Sequence, residues 1–202
     1  MKTFKQLIEN EEEWLGTDNH NTHITSIAKD NLLKIHPKHD LEDLEHESMH
    51  HYSEYGYIPM NESLRNETSG PDDLAIHHLN NAINKHTTEH HAHLWRGISS
   101  KAKDLFNNVN PGDIFHDKGF VSTTFNPTLA SIFGHTGSLI HIKVPKGSKA
   151  LYRDHYHKNA SEREVILPKN SKFRYEGHEV VKDKQGVPIK LHHLTHIPEG
   201  HE

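Results

Sequence analysis

The sequence predicts an α+β fold, with a helical N-terminal half feeding a β-rich C-terminal half. Three observations predict it. Residues 51–66 combine aromatics with a helix-start pattern, and the segment SGPDDLAIHHLNNAINKH (69–86) carries helix-start chemistry and an apolar stripe at helical spacing. From residue 94 onward, short apolar runs are separated by turn residues such as Asn110-Pro111-Gly112. Helices and strands are segregated along the chain rather than alternating, which distinguishes α+β from α/β.

Taken in order, residues 3–14 read as a short acidic helix with Phe4, Leu7, Ile8 and Trp14 on roughly one face. Residues 17–50 are dense in His, Asn and Asp and read as partly helical. Residues 1–48 are therefore expected to be an N-terminal extension, and residues 49–198 the domain. HYSEYGYIPMNESLRN (51–66) combines aromatics with a helix start after Pro59. In the 69–86 helix, Ser69 or Gly70 is the expected cap and Pro71 takes the first helical position. Asp72 and Asp73 suit the positive end of the helix dipole. Its inner stripe is Ala75, Leu79, Ala82, Ile83 and His86. Strands are expected over 93–99, within 105–115, and over 119–125, 138–145, 150–154, 163–168, 172–181 and 189–197. One short helix, NPTLASIFG (126–134), follows the third of them. A polar tail closes the chain.

The composition excludes several function classes. The 202 residues suit one domain with a small extension. The absence of cysteine removes disulfides, thiolate catalysis and cysteine-bound zinc. A net charge of -5 with histidine neutral does not favour nucleic acid as a partner. The 23 histidines would reverse that sign near their ordinary pKa of about 6.5. The start of the chain shows no signal peptide, and no run has the length of a membrane span. A soluble product without membrane association is expected.

Three apolar strands each carry a misplaced polar group. Arg96 follows Leu94 and Trp95. Ser122, Thr123 and Thr124 follow Phe120 and Val121. Glu162 and Glu164 precede Val165, Ile166 and Leu167. Residues i and i+2 of a strand share a face, so the two carboxylates point to one place. Burying an arginine or a carboxylate is costly unless the charges meet, and convergence on one cleft would bring them together. An arginine there can grip a phosphate, a serine can orient a carboxylate, and carboxylates can stabilise a cationic sugar or accept a proton.

The succession Arg96, Ser122-Thr123-Thr124, Glu162-x-Glu164 resembles the Arg–Ser-Thr-Ser–Glu-x-Glu signature of mono-ADP-ribosyltransferases, in particular the arginine-modifying branch of bacterial toxins and bacteriophage enzymes. GFVSTTFNPTLASIFG, HIKVPKGSKALY, EREVILPKNSKFRY and YSEYGYIPMNESLR (with Tyr52, Tyr57, Asn61 and Arg65) extend the similarity over about residues 50–190. Thr124 departs from the serine of the signature but keeps a hydroxyl. The resemblance implies two packed, mostly antiparallel sheets around an NAD cleft, with the helices on the N-terminal side.

It also implies roles. Arg96 would hold the NAD phosphates, and the Gly97 backbone the nicotinamide amide. Thr123 and Thr124 would line the cofactor site. Ser122 would fix the rotamer of Glu164, which would bind the nicotinamide ribose and stabilise its oxocarbenium ion. Glu162 would orient or deprotonate the attacking arginine. Phe133 would stack on nicotinamide, and Tyr57 and Asn61 would lie over the cofactor. Residues 153–160 would present the target, with Tyr156 as the aromatic contact. NAD is the implied co-substrate, with no metal.

The implied partners are target proteins of a bacterial host, in its transcription or translation machinery. The protein is expected to act as a monomer in the host cytoplasm, with packaging in a virion and injection as a possible route. Two other readings stay open on the sequence. His46-Glu47-x-x-His50 spells a zinc metallopeptidase motif, and the fold could serve as a non-catalytic NAD-binding module.

Overall fold

The computed structural model describes residues 40–98, 102, 104–133, 138–153, 163–182 and 186–200. The expected helix at 3–14, and with it Glu162 and Tyr156, lie outside the described residues.

Helix α1 spans Asp43–His51 and starts in a capping box, in which the Glu42 N–H donates to Glu45 Oε2 at 2.9 Å. That carboxylate also takes Lys85 Nζ at 2.8 Å, which ties α1 to the residue that ends the helix over Asp73–Asn84. The boundary expected at 48/49 falls inside α1, whose Met49 is fully buried.

The backbone then widens into a π-helical turn, Tyr52–Gly56, before α2 at Tyr57–Asn66. The sequence placed the helix start after Pro59. Instead Pro59 sits in the first turn of α2, where its missing N–H costs nothing within the helix. The widened turn lies directly before it, where the ladder would otherwise call on that N–H. Gly56 fits here without a clash, whereas a Cβ would come within 2.6 Å of the His51 ring and displace it. The His51 ring Nε2 in turn meets Asp72 Oδ1 at 2.9 Å.

Helix α3 runs over Asp73–Asn84, two residues later than the expected Pro71 start. Pro71 and Asp72 form a turn, and the Asp73 carboxylate accepts the Gly70 N–H at 3.1 Å. Its buried face is Ile76, Leu79, Ala82 and Ile83, with Ala75 only partly covered. His86 is buried beyond the helix end, its Nδ1 2.7 Å from the Ala82 carbonyl.

The strands are β1 (Ala92–Gly97), β2 (Ile114–Asp117), β3 (Val121–Thr124), β4 (Ser138–Val144), β5 (Leu151–Tyr152), β6 (Glu164–Leu167), β7 (Ser171–Lys182) and β8 (Pro188–Ile197). Helix α4 (Pro127–Phe133) lies between β3 and β4. Among the described residues they form one eight-stranded sheet in the order β2-β7-β8-β4-β1-β3-β6-β5. Every pairing is antiparallel except β4–β8. The α+β class holds, but the expected two sheets are joined. Their junction is the single register pair Trp95↔Thr124 between β1 and β3. So small a junction leaves the two halves able to close over one core. Leu94, Ile142, Leu194 and Phe173 from one half share a buried cluster with Val121, Val165 and Leu167 from the other.

A second core lies between the helices and the outer face of the shorter half. It joins Met49, Tyr52, Met60, Leu79 and Ile83 to Phe120, Leu151 and Ile166. Strand β6 thus alternates between the two cores, Val165 and Leu167 to one and Ile166 to the other. Glu164 is two residues from Ile166 and shares its face, on the side of the helical layer. Among the described residues no helix is long and apolar enough to cross a membrane.

Candidate active site

Strand register brings the charged side chains together. Ser122 pairs with Ile166 and Thr124 with Glu164, so Ser122 and Glu164 are diagonal neighbours on one face. The Ser122 hydroxyl donates to Glu164 Oε1. Arg96, half-buried at the end of β1, donates from Nη1 to the Ser122 carbonyl at 3.1 Å. Glu164 itself is only 8% exposed. Three groups separated by 26 and 42 residues in sequence therefore meet at one point of the sheet.

A fourth group, and a third charge, joins them. Tyr152 pairs with Val165, so the antiparallel register continues with Arg153 opposite Glu164. Arg153 Nε lies 3.2 Å from Glu164 Oε2, and both side chains are buried. The sequence reading placed residue 153 at the start of the target-presenting segment. The structure instead places its side chain beside Glu164, because β5 carries it across from that residue. The signal was present in ALYRD: a cation ending an apolar strand, the same feature that marked Arg96.

The helical layer contributes Tyr52, whose ring meets Phe120 edge-on with centroids 5.6 Å apart. Burial pushes the Tyr52 hydroxyl pKa up to about 12. The Asn61 hydrogen bond pulls it down, Glu164 pushes it up, and Arg96 and Arg65 pull it down. Arg65 itself pairs with Asp117 through two contacts, Nε–Oδ1 at 2.9 Å and Nη2–Oδ2 at 3.0 Å.

The remaining expected residues divide by what they touch. Asn61 is buried and spans Tyr52 and the Phe120 backbone. Thr123 Oγ1 donates to the Val165 carbonyl at 2.7 Å, fastening β3 to β6. Thr124 Oγ1 accepts the Asn126 N–H at 3.1 Å, and Asn126 Oδ1 accepts the N–H of Thr128 at 3.0 Å at the start of α4. Gly97 ends β1 opposite Leu139. Phe133 ends α4 and Tyr57 begins α2, both exposed. His46, Glu47 and His50 lie on α1. Among the described residues no group of three metal-ligating side chains is gathered to hold a metal ion.

Comparison with known proteins gives the same direction. The model of the ADP-ribosyltransferase exoenzyme family matches residues 18–195. The NAD(+)--arginine ADP-ribosyltransferase EFV of Enterococcus faecalis is 29% identical over 140 residues, covering 64% of this chain and 28% of that protein. The NAD--protein ADP-ribosyltransferase modB of Enterobacteria phage T4 is 31% identical over 107 residues, covering 50% of this chain and 48% of that protein. The chain thus spans less than half the length of these curated relatives. Among solved structures, Plx2a, an ADP-ribosyltransferase toxin from Paenibacillus larvae, superposes with a TM-score of 0.67 at 22% identity, covering 77% of this chain and 87% of that one. A family match over most of the sequence, on a fold that joins Arg96, Ser122 and Glu164, shows that this chain belongs to the ADP-ribosyltransferase exoenzyme family.

Proposed function

We propose that the chain is an NAD-dependent mono-ADP-ribosyltransferase that transfers ADP-ribose from NAD to arginine side chains of target proteins. The observation that carries this reading is the buried Glu164 carboxylate, fixed by the Ser122 hydroxyl beside the Arg96 guanidinium. The donor set suits NAD. A half-buried guanidinium suits a diphosphate, and a buried, oriented carboxylate suits a ribose hydroxyl and a growing positive charge on the sugar.

In the reaction the bond between nicotinamide nitrogen and ribose C1′ breaks, and nicotinamide leaves with the electron pair. A guanidinium nitrogen of the acceptor forms the new bond to C1′ and loses a proton. Arg96 binds and orients the phosphates. Glu164, held by Ser122, stabilises the charge that builds on the ribose as the bond lengthens. Glu162 takes the role of orienting the acceptor guanidinium and receiving its proton. Gly97, Thr123, Thr124, Phe133, Tyr57 and Asn61 line or support the NAD site, and Tyr156 meets the target protein. No metal takes part.

The targets are arginines of bacterial host proteins, in the transcription or translation machinery. The protein reaches them in the host cytoplasm, by synthesis there or by injection from a virion. The phage origin of one relative and the arginine named for the other support this reading.

The experiment is incubation with adenylate-labelled NAD and bacterial lysate. Label should appear on protein, with nicotinamide released in step, and mass spectrometry should place the adduct on arginine. Neither labelled protein nor released nicotinamide from the wild-type chain would reject the enzyme reading. Adducts on other side chains only would reject the arginine assignment.

A further inference from the structure

We infer that Arg153 is a positioning residue for the reaction proposed above: it holds one oxygen of the Glu164 carboxylate while Ser122 holds the other. The inference rests on that reading of Glu164, and it adds a residue that the Arg96, Ser122 and Glu164 signature does not contain.

The geometry is two-sided. Strand β6 has β3 on one flank and β5 on the other. From β3, the Ser122 hydroxyl engages Oε1 of Glu164; from β5, Arg153 Nε stands 3.2 Å from Oε2. Each neighbouring strand thus meets a different carboxylate oxygen, β3 through a hydrogen bond and β5 through an ion pair. The Ser122 hydroxyl orients the carboxylate, and the Arg153 charge stands beside it, before any substrate arrives. Preorganised groups of this kind need no rearrangement at the moment charge develops.

Burial decides between a direct and an indirect role. Arg153 is 6% exposed, so its guanidinium does not present itself to an incoming phosphate or acceptor as the half-buried Arg96 does. Among the described residues it stands against Glu164. A carboxylate as buried as Glu164 is expensive to keep charged without a cationic partner, and the cross-strand position opposite it supplies one. The reaction needs the charged form, because only that form stabilises a growing cation. Arg153 therefore acts through Glu164, on the chemical step rather than on NAD capture.

The test compares wild type, Arg153→Met, Arg153→Lys and Glu164→Gln in full-length protein. Nicotinamide release is measured against NAD concentration, with water or agmatine, a small guanidinium, as acceptor. Arg153→Met should lower kcat about 10- to 100-fold while KM for NAD stays within about threefold. Arg153→Lys, which keeps the charge, should recover most of the loss. A merely structural ion pair would lower the thermal midpoint without that split between kcat and KM.

The inference is overturned if Arg153→Met keeps kcat within about twofold of wild type, raises it, or loses activity through KM alone. It is also overturned if Arg153→Lys is no better than Arg153→Met. Should Arg153→Met fail to fold, Arg153→Gln takes its place and is judged by the same kcat and KM criteria. A wild-type chain that releases no nicotinamide under any condition rejects the proposed function itself. An active wild type with an indifferent Arg153 rejects only the positioning role.

Discussion

Asn61 Oδ1 accepts the Phe120 N–H at 2.7 Å while Asn61 Nδ2 donates to the Tyr52 hydroxyl at 3.2 Å. One amide side chain from α2 thereby fixes both the backbone at the start of β3 and the phenol that faces the charged cluster. Gly119 is part of the same fit: a Cβ there would lie 2.7 Å from Asn61 Oδ1. Asn61→Ala leaves a buried N–H without its acceptor and should cost about 2 kcal/mol of stability. Gly119→Ala should cost about 1–3 kcal/mol, because Asn61 is pinned and has nowhere to swing. Urea unfolding checks both, and midpoints equal to wild type would show that the amide bridge is dispensable.

Glu164→Gln keeps the shape of the side chain and removes its charge. It should lower kcat for nicotinamide release by about a hundredfold or more. Ser122→Ala leaves the carboxylate charged but frees one oxygen, so its loss should be smaller, about tenfold. The order of the two effects is the informative result. A Ser122→Ala chain less active than Glu164→Gln would show that the hydroxyl does more than orient the carboxylate.

Buried histidines should make the fold sensitive to acid. Burial lowers the pKa of His196 to about 4. His192 falls to about 4 as well, through burial first and then the charges of Lys190, His178 and His193. His141, stacked between His93 and Trp95, is held well below its ordinary range by burial and by its histidine and lysine neighbours. In the unfolded chain these rings titrate near about 6.5. Below that pH the unfolded state binds protons that the folded state refuses, so stability is complete above about pH 6.5 and drains away as pH falls toward about 4. For His196 alone the shift is worth roughly 3 kcal/mol at its limit. Urea midpoints measured from about pH 7.5 down to about pH 4.5 should fall, and His196→Phe should flatten the profile. A midpoint constant across that range would contradict the buried, neutral state of these rings.

The metallopeptidase motif of α1 gives a fourth test. Glu47 is exposed on that helix, away from any gathered set of metal ligands among the described residues. Nicotinamide release and protein labelling should survive both a metal chelator and Glu47→Ala. Activity lost on chelation and restored by zinc would return the motif to consideration.

How much of this was legible in the sequence differs by element. The α3 stripe and the alternation of Val165, Ile166 and Leu167 could be read directly, because helix and strand periodicities are local properties of the chain. Boundaries were less legible. The start expected after Pro59 lies three residues beyond the observed Tyr57, and nothing local announced the π-helical turn before it, where Gly56 lies against the His51 ring.

The site shows the same division. Arg96, Ser122 and Glu164 stood out as polar groups inside apolar strands, and that pattern is written in the sequence. That Asn61 serves the backbone of Phe120, that Arg153 faces Glu164, and that the two expected sheets join at Trp95 and Thr124 were decided by pairing register and by packing between distant segments. Sequence fixes which residues want burial and which carry charge, since those are properties of the side chains themselves. Which charge ends up beside which depends on strand neighbours far apart in the chain, and only the folded arrangement settles that.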